Sequence, residues 1–324
     1  MQTHPTILMV SGGSDSSAML EMCSCGDIEC GPFAVLHVNH MLRGKDSELD
    51  EKFVVSKCME LCVECCVVRI DIKSLAKNSA DSIEAVARDA RYAAANKQLA
   101  TFCEKLDVSF DQGRIYTAHT LDDRVETFYM RTLVGTGPGG LASIPRSREN
   151  VLRPLLDYTR EELREYLRNK NPGKVDVELW REDKTNFDGT NFRSAVRMKL
   201  IPVLSEMRPG FKRSLSRTMD LISDEQNCMN DLALSKLMRV VKIDTNTVTL
   251  PVDIIAETPK PISRRILREA LLLVDENARL ESEQIERVLE GCGVLGFTTE
   301  VSGGIRVNSD SKNLILKKLG LAHR

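Results

Sequence analysis

Four short apolar runs, at residues 6–10, 32–38, 66–72 and 114–118, alternate with helical stretches at 16–23, 46–62, 82–104 and 122–133. This alternation constrains the fold more than any other feature of the chain. Short continuous apolar runs read as strands buried on both faces. Strands separated by helices of this length pair in parallel and are covered on both sides. The expected fold class is therefore α/β: a Rossmann-like parallel sheet with helices on both faces. Ligands of such sheets bind beyond the carboxyl ends of the strands. Three polar clusters fall there, at residues 11–16, 37–43 and 119–126, and they are expected to converge. Asp81-x-x-Glu84 and Thr159-x-x-Glu162 have capping-box spacing and mark two helix starts.

From residue 159 to about 217 the pattern is helical and basic, punctuated by Pro172, Pro202 and Pro209. Residues 218–324 read as a small α+β unit, with helices near 217–239, 263–273 and 282–289. Its strands are expected at 240–250 and 298–317, the second broken like a hairpin at Gly303-Gly304 and 308–311. At 324 residues the chain has room for two domains, expected at 1–215 and 216–324.

The net charge of −2 hides a division along the chain. Residues 1–139 carry 14 Lys+Arg against 20 Asp+Glu, residues 140–217 carry 17 against 11, and residues 218–324 carry 14 against 16. A basic middle is compatible with a polyanion-binding face or with a solvated helical face. No apolar run approaches the roughly 20 residues that cross a bilayer, and no signal peptide is apparent at the start. A cytoplasmic protein with no membrane partner is expected, and its ten cysteines fit a reducing compartment. Cys62-x-x-Cys65 has the spacing of a redox pair or half a metal site, but no second pair follows, so cysteine as small apolar filler is the favoured reading.

The stretch Ser11-Gly12-Gly13-Ser14-Asp15-Ser16 joins the first strand to a helix. Small residues there let backbone N–H groups approach an anion, and the helix N-terminus favours negative charge. A Walker-type loop would add a lysine against the terminal phosphates. Here Asp15 stands in the loop, and a carboxylate beside polyphosphate makes sense chiefly as a Mg²⁺ ligand. Such a loop suits pyrophosphate as a unit, hence cleavage of ATP between the α- and β-phosphates. The sequence from Gly135 to Gly140 superficially matches a dinucleotide fingerprint, but it follows a helix instead of a strand and fails that context test.

The "SGGSDS" loop resembles the PP-loop of the ATP-pyrophosphatase superfamily. "HVNHMLRG" (37–44), "EAVARDARY" (84–92), "AHTLDDRVET" (118–127), "RPLLDYTREELREY" (153–166) and "EDKTNFD" (182–188) follow in order. Together they resemble the tRNA(Ile)-lysidine synthetase family over roughly the first 210 residues. The resemblance implies a ligase that uses ATP to adenylate the C2 carbonyl of the wobble cytidine in an isoleucine tRNA with a CAU anticodon. Free L-lysine then displaces AMP to give lysidine. By the same resemblance, Ser11, Gly12, Gly13, Ser14, Asp15, Ser16, His37 and Asn39 contact ATP, and Asp15 holds Mg²⁺. His119 lies at the reacting centre, with Asp15, Asp123 and Glu126 as its catalytic companions. Glu84, Arg88, Arg91, Asp122, Asp123 and Glu126 face lysine or the cytidine. Arg43, Arg153, Lys184, Arg193 and Arg197 contact the tRNA, and residues 216–324 form a tRNA-binding type of domain. A homodimer is a further expectation. The chain departs from the family at Val134, where an arginine is common, and at "FRSAVR" (192–197), where the usual pattern is closer to RNRIR.

The residues also fit this chemistry directly. Asp122 or Asp123 with Glu126 falls at i, i+4 or i, i+3 on one helix face, able to hold Mg²⁺ or a lysine ammonium. Glu84, Arg88 and Arg91 share another helix face, where an ion pair between Glu84 and Arg88 is the simple alternative. Two rival functions remain: a PP-loop tRNA thiolase, which needs catalytic cysteines, and an inactive tRNA- or nucleotide-binding module, which predicts RNA binding without ATP turnover.

Overall fold

The computed structural model describes residues 4–77, 79, 81–182, 191–276, 278 and 281–319. Two compact units divide between Asp220 and Leu221. The first is built on a sheet of β1 (Thr6–Met9), β2 (Phe33–Asn39), β3 (Cys65–Arg69), β4 (Arg114–Thr117), β5 (Ser147–Arg148) and β6 (Val151–Leu152). Its order is β3-β2-β1-β4-β6-β5, with all neighbours parallel except the β5–β6 pair. The chain steps outward from β1 to β3, then returns to lay β4 on the other side of β1. The sheet therefore changes direction between β1 and β4, and a crevice opens at their carboxyl ends.

Helices α1 (Ser14–Ser24), α2 (Lys45–Glu60), α3 (Ile72–Ala76), α4 (Ile83–Lys105), α5 (Leu121–Val134), α6 (Pro138–Leu141), α7 (Arg160–Lys170) and α8 (Asp176–Leu179) surround this sheet. The period of two in β1 sorts its side chains. Leu8 packs with Ala18, Met19, Leu163, Leu167 and Trp180 on one face. Ile7 and Met9 pack with Ala95, Leu99 and Phe102 of α4 on the other. Each such side chain contributes about 1.5–3 kcal/mol of burial, which explains why the apolar runs were legible as strands. Beyond α8 come α9 (Phe192–Ala195), a π-helical turn at Val196–Leu200, α10 (Ile201–Met207) and α11 (Phe211–Met238). The unit boundary falls within α11.

The second unit has a fully antiparallel sheet, β7-β8-β11-β10-β9. Its strands are β7 (Lys242–Asp244), β8 (Thr247–Pro251), β9 (Phe297–Val301), β10 (Ile305–Ser309) and β11 (Asn313–Lys318). Helices α12 (Val252–Ala256), α13 (Lys260–Val274) and α14 (Ser282–Gly291) complete it. Ile262, Ile266, Leu267, Ala270 and Leu271 form the α13 stripe against Val248, Leu250, Leu314 and Leu316. The single strand expected at 240–250 is a hairpin, because Thr245-Asn246 turns the chain and Asp244 Oδ1 accepts the Thr245 amide at 2.8 Å. The expected hairpin at 298–317 is a three-stranded meander turning first at Gly303-Gly304, where φ is 83° and 65°.

Two local expectations meet different outcomes. Thr159 and Glu162 form the reciprocal capping box. At α4 the cap falls one residue later than expected: Ser82, not Asp81, accepts the Ala85 amide. All ten cysteines are free, and Cys23, Cys58 and Cys103 are buried as core filler. Cys62 has φ 53° and ends α2, with the Val63 amide bonded to Cys58 O and the Cys62 amide to Met59 O. That pattern is a Schellman turn, so Cys62 stands where a left-handed residue is needed.

Candidate active site

The loop after β1 is braced from within. Ser16 Oγ accepts the amides of Ser11 at 3.1 Å and Gly12 at 3.2 Å, and donates to the Gly13 carbonyl at 3.1 Å. Gly12 has φ +95°, in the left-handed region that side chains rarely adopt, and a Cβ there would meet Val54 at 3.4 Å. Arg181 donates its amide to Gly12 O at 2.8 Å and fixes the loop from outside. No side chain caps α1 at Gly13. Its first amides are left to an external acceptor, the ordinary condition for anion binding at a helix start.

Because β4 is the hydrogen-bonded neighbour of β1, the segment following β4 reaches the same crevice. Thr120 caps α5, and Asp123 returns the bond to the Thr120 amide at 3.0 Å. This box aims Asp123 and Glu126 toward the loop. Between them and Asp15 lies one guanidinium, Arg160. Its Nε donates to Asp15 Oδ2 at 3.3 Å and its Nη1 to Glu126 Oε1 at 3.0 Å, while Nη2 bonds Asp123 Oδ1. Glu126, only 2% exposed, also accepts from Arg193 Nε at 2.9 Å and Arg197 Nε at 2.7 Å. Asp122 turns away from Glu126, accepting the Arg160 amide at 2.8 Å and pairing with Lys212.

The electrostatics follow from burial and these pairings. Burial raises the Asp15 pKa above its ordinary value and the Asp123 charge adds to that, with Arg160 opposing both. Burial works the same way on Asp123 and Glu126, but the arginines outweigh it and hold both carboxyls below the usual range. His119 is pushed down to about 4 by burial, against the pull of Asp123 and with the help of Arg153, Arg91 and Arg88. It is neutral at physiological pH and shares a 3.0 Å hydrogen bond with Thr117.

The remaining expected residues are spread around this centre. His37 Nδ1 donates to the Val10 carbonyl at 2.9 Å, which ties the end of β2 to the root of the loop. Asn39 donates to Glu51 Oε2 at 2.8 Å and accepts the Met41 amide at 2.9 Å, so it shapes the 39–51 segment. Arg43 pairs with Asp50 at 2.7 Å. Arg88, Arg91 and Arg153 all act on His119 electrostatically, and Glu84 is exposed without an ion pair to Arg88 among the described residues. Arg193 and Arg197, expected to face tRNA, turn onto Glu126 in this structure. Lys184 lies outside the described residues, as does most of "EDKTNFD".

Two cations were not picked out from the sequence. Lys212 gives no local signal. Arg160 does: it is the first residue of α7, directly after the Thr159 cap, where the helix dipole disfavours a cation. A basic residue there must be held by acids from elsewhere in the chain.

A parallel sheet with its direction change beside an uncapped, glycine-turned loop defines a phosphate-binding α/β protein of the PP-loop class. The chain belongs to the PP-loop domain family, whose model matches residues 1–204. It is 35% identical over 269 residues to a tRNA(Ile)-lysidine synthase of Thermus thermophilus, covering 82% of this chain and 48% of that one. A tRNA(Ile)-lysidine synthase of Geobacter sulfurreducens is 29% identical over 288 residues, covering 87% and 58%. The chain thus spans about half the length of the curated relatives it matches. The resemblance read from the motifs is borne out by these relatives. Among solved structures, a U34-tRNA thiolase of Methanococcus maripaludis aligns with TM-score 0.50 at 19% identity over 69% of this chain and 74% of that chain. That likeness concerns the fold alone.

Proposed function

We propose that this chain is a ligase that joins free L-lysine to C2 of the wobble cytidine of a CAU-anticodon isoleucine tRNA, consuming ATP. One observation carries the reading: an anion-binding loop and a cluster of three carboxylates closed on a guanidinium share one crevice. A polyphosphate and a substrate cation have adjoining places there. The names of the relatives supply the substrate class.

In this reading the uncapped amides of α1 take the phosphates of ATP. The cytidine O2 attacks the α-phosphate and pyrophosphate leaves. The lysine amine then forms the new bond to C2 as the C2–O bond breaks and AMP departs. Asp123 and Glu126 receive the ammonium group beside Arg160, and stand within reach of the proton the amine must lose. His119, neutral, hydrogen-bonds at the reacting centre without adding charge. Mg²⁺ fits Asp15, whose carboxylate is under pressure from burial and from Asp123 that a cation relieves. Among the described residues no group of three His, Cys, Asp or Glu could hold a metal ion. Asp15 would be its protein ligand and the phosphates the others, and the ion would neutralise charge on the leaving pyrophosphate.

A cytoplasmic setting belongs to the same reading and is supported by ten free cysteines. Among the described residues no helix is long and apolar enough to cross a membrane. The second unit is proposed to hold the tRNA body. A homodimer is likewise a proposal, decided by the solution mass from light scattering. The thiolase alternative is less well supported, because among the described residues no cysteine hydrogen-bonds with Asp15, His119, Asp123 or Glu126 and Cys62 serves a helix-ending turn.

The test is release of AMP and pyrophosphate that requires both lysine and the CAU transcript, with a gain of lysine mass on the RNA. A gain matching sulfur for oxygen would establish the thiolase. RNA binding with neither product would leave the inactive module.

A further inference from the structure

The face of the sheet under α4 carries a group of cations, and the one acid that acts on them, Glu84, is exposed and forms no ion pair with them among the described residues. Arg153, just after β6, is 6% exposed; its Nη1 donates to the Pro145 carbonyl at 2.9 Å and its Nε has no partner. Arg91 on α4 also has a buried Nε without a partner, and the buried hydroxyl of Tyr92 faces Arg153. The guanidiniums of Arg88 and Arg91 lie 5.0 Å and 5.8 Å from the Tyr92 ring centre. Among the described residues none of these three arginines makes an ion pair. Burial lowers the pKa of both Arg91 and Arg153 and Arg88 adds to it, with Tyr92 opposing at both and Glu84 opposing at Arg91.

Leaving guanidinium groups desolvated and unpaired costs several kcal/mol, and buried polar atoms without partners are uncommon in folded proteins. The cost is explained if the partner is a ligand. All three arginines act on His119, as does Asp123 with the opposite sign. The phosphate loop follows β1, whereas Arg153 follows β6, two strands away. At about 4.8 Å per strand that is roughly 10 Å, about the reach from a leaving pyrophosphate across a reacting nucleotide to its own backbone.

We propose that Arg88, Arg91, Arg153 and the Tyr92 hydroxyl form one phosphate site, which takes a backbone phosphodiester of the RNA substrate beside the reacting nucleotide. The inference rests on the proposed function only in taking the substrate to be RNA. Arg88, exposed at the rim, makes the outermost contact. Arg91 and Arg153 present fixed N–H groups from below, with the geometry that guanidinium offers to phosphate oxygens.

The experiment measures binding of a CAU-anticodon isoleucine tRNA transcript across about 50–300 mM salt, without ATP or lysine, where counterion release makes phosphate contacts visible as a slope. Arg88→Ala, at an exposed position that leaves the core intact, is expected to weaken binding about tenfold and make the slope of log K against log salt shallower by about 0.7–1. Arg153→Lys keeps the charge but loses the planar fork, so its affinity falls with little change in slope. ATP affinity, measured without RNA, stays at the wild-type value in both. Wild-type RNA affinity and slope in Arg88→Ala would overturn the proposal. So would an equal loss of ATP affinity, which would assign the site to the nucleotide. A protein that makes no lysidine yet shows the altered slope would retire the ligase reading and leave the phosphate site standing.

Discussion

Arg160 opens α7 against its own helix dipole and is held there by three carboxylates, Asp15, Asp123 and Glu126, contributed by the segments after β1 and β4. Its removal has a definite electrostatic sign. Asp15 already has a raised pKa, and Arg160 is the strongest influence opposing that rise. Without the guanidinium, Asp15 holds its proton to higher pH, and the form with an ionised loop carboxylate is lost sooner on acidification. In Arg160→Ala the acidic limb of the kcat/KM profile is therefore expected to move to higher pH, whereas Arg160→Lys, which keeps a cation, moves it less. An unmoved limb in Arg160→Ala would separate Asp15 from the reaction. At this scale the sequence was partly legible. Spacing put Asp122 or Asp123 with Glu126 on one helix face, and the family resemblance chose Asp123 and singled out Asp15 in the loop. Their common partner was not legible, because it lies 145 residues from Asp15 and only the fold brings the two together.

The secondary-structure elements set how firmly that partner is placed. Thr159 holds the first turn of α7 through the box with Glu162, whose Oε2 accepts the Thr159 amide at 2.8 Å and hydroxyl at 2.9 Å. Thr159→Ala is expected to cost about 1 kcal/mol, read as a lower midpoint in urea. Because Arg160 is the next residue, activity should fall by more than the lost stability explains at a temperature where the variant remains folded. The strands were legible because a run buried on both faces must be apolar throughout. Helix starts were less so: the acidic pair at 81 and 84 has the spacing of a box, yet Ser82 makes the cap. The strand expected at 240–250 was overextended, since Thr245-Asn246 carries no glycine or proline to announce a turn. The π turn at Val196–Leu200 has no sequence signature, although it holds Arg197, which with Arg193 reaches Glu126.

For the whole molecule, each compact unit has an apolar core of its own, and among the described residues the core of the second draws on none before Met229. A fragment beginning at Phe211, which keeps α11 entire, is accordingly expected to unfold cooperatively on heating; a broad, featureless melt would show that its core depends on the first unit. The first unit has the opposite character. Its central strand, β1, pairs with β2 close behind it and with β4 more than a hundred residues later, Thr6 standing opposite both Phe33 and Arg114. The phosphate loop leaves β1, and its carboxylate partners follow β4. On a ribosome the loop emerges well before its acidic counterpart, which is still untranslated when β2 and β3 are already free to pair. The crevice closes only when α7 has also left the exit tunnel, so a nascent chain halted before Arg160 carries the phosphate loop without the cation that joins it to Asp123 and Glu126.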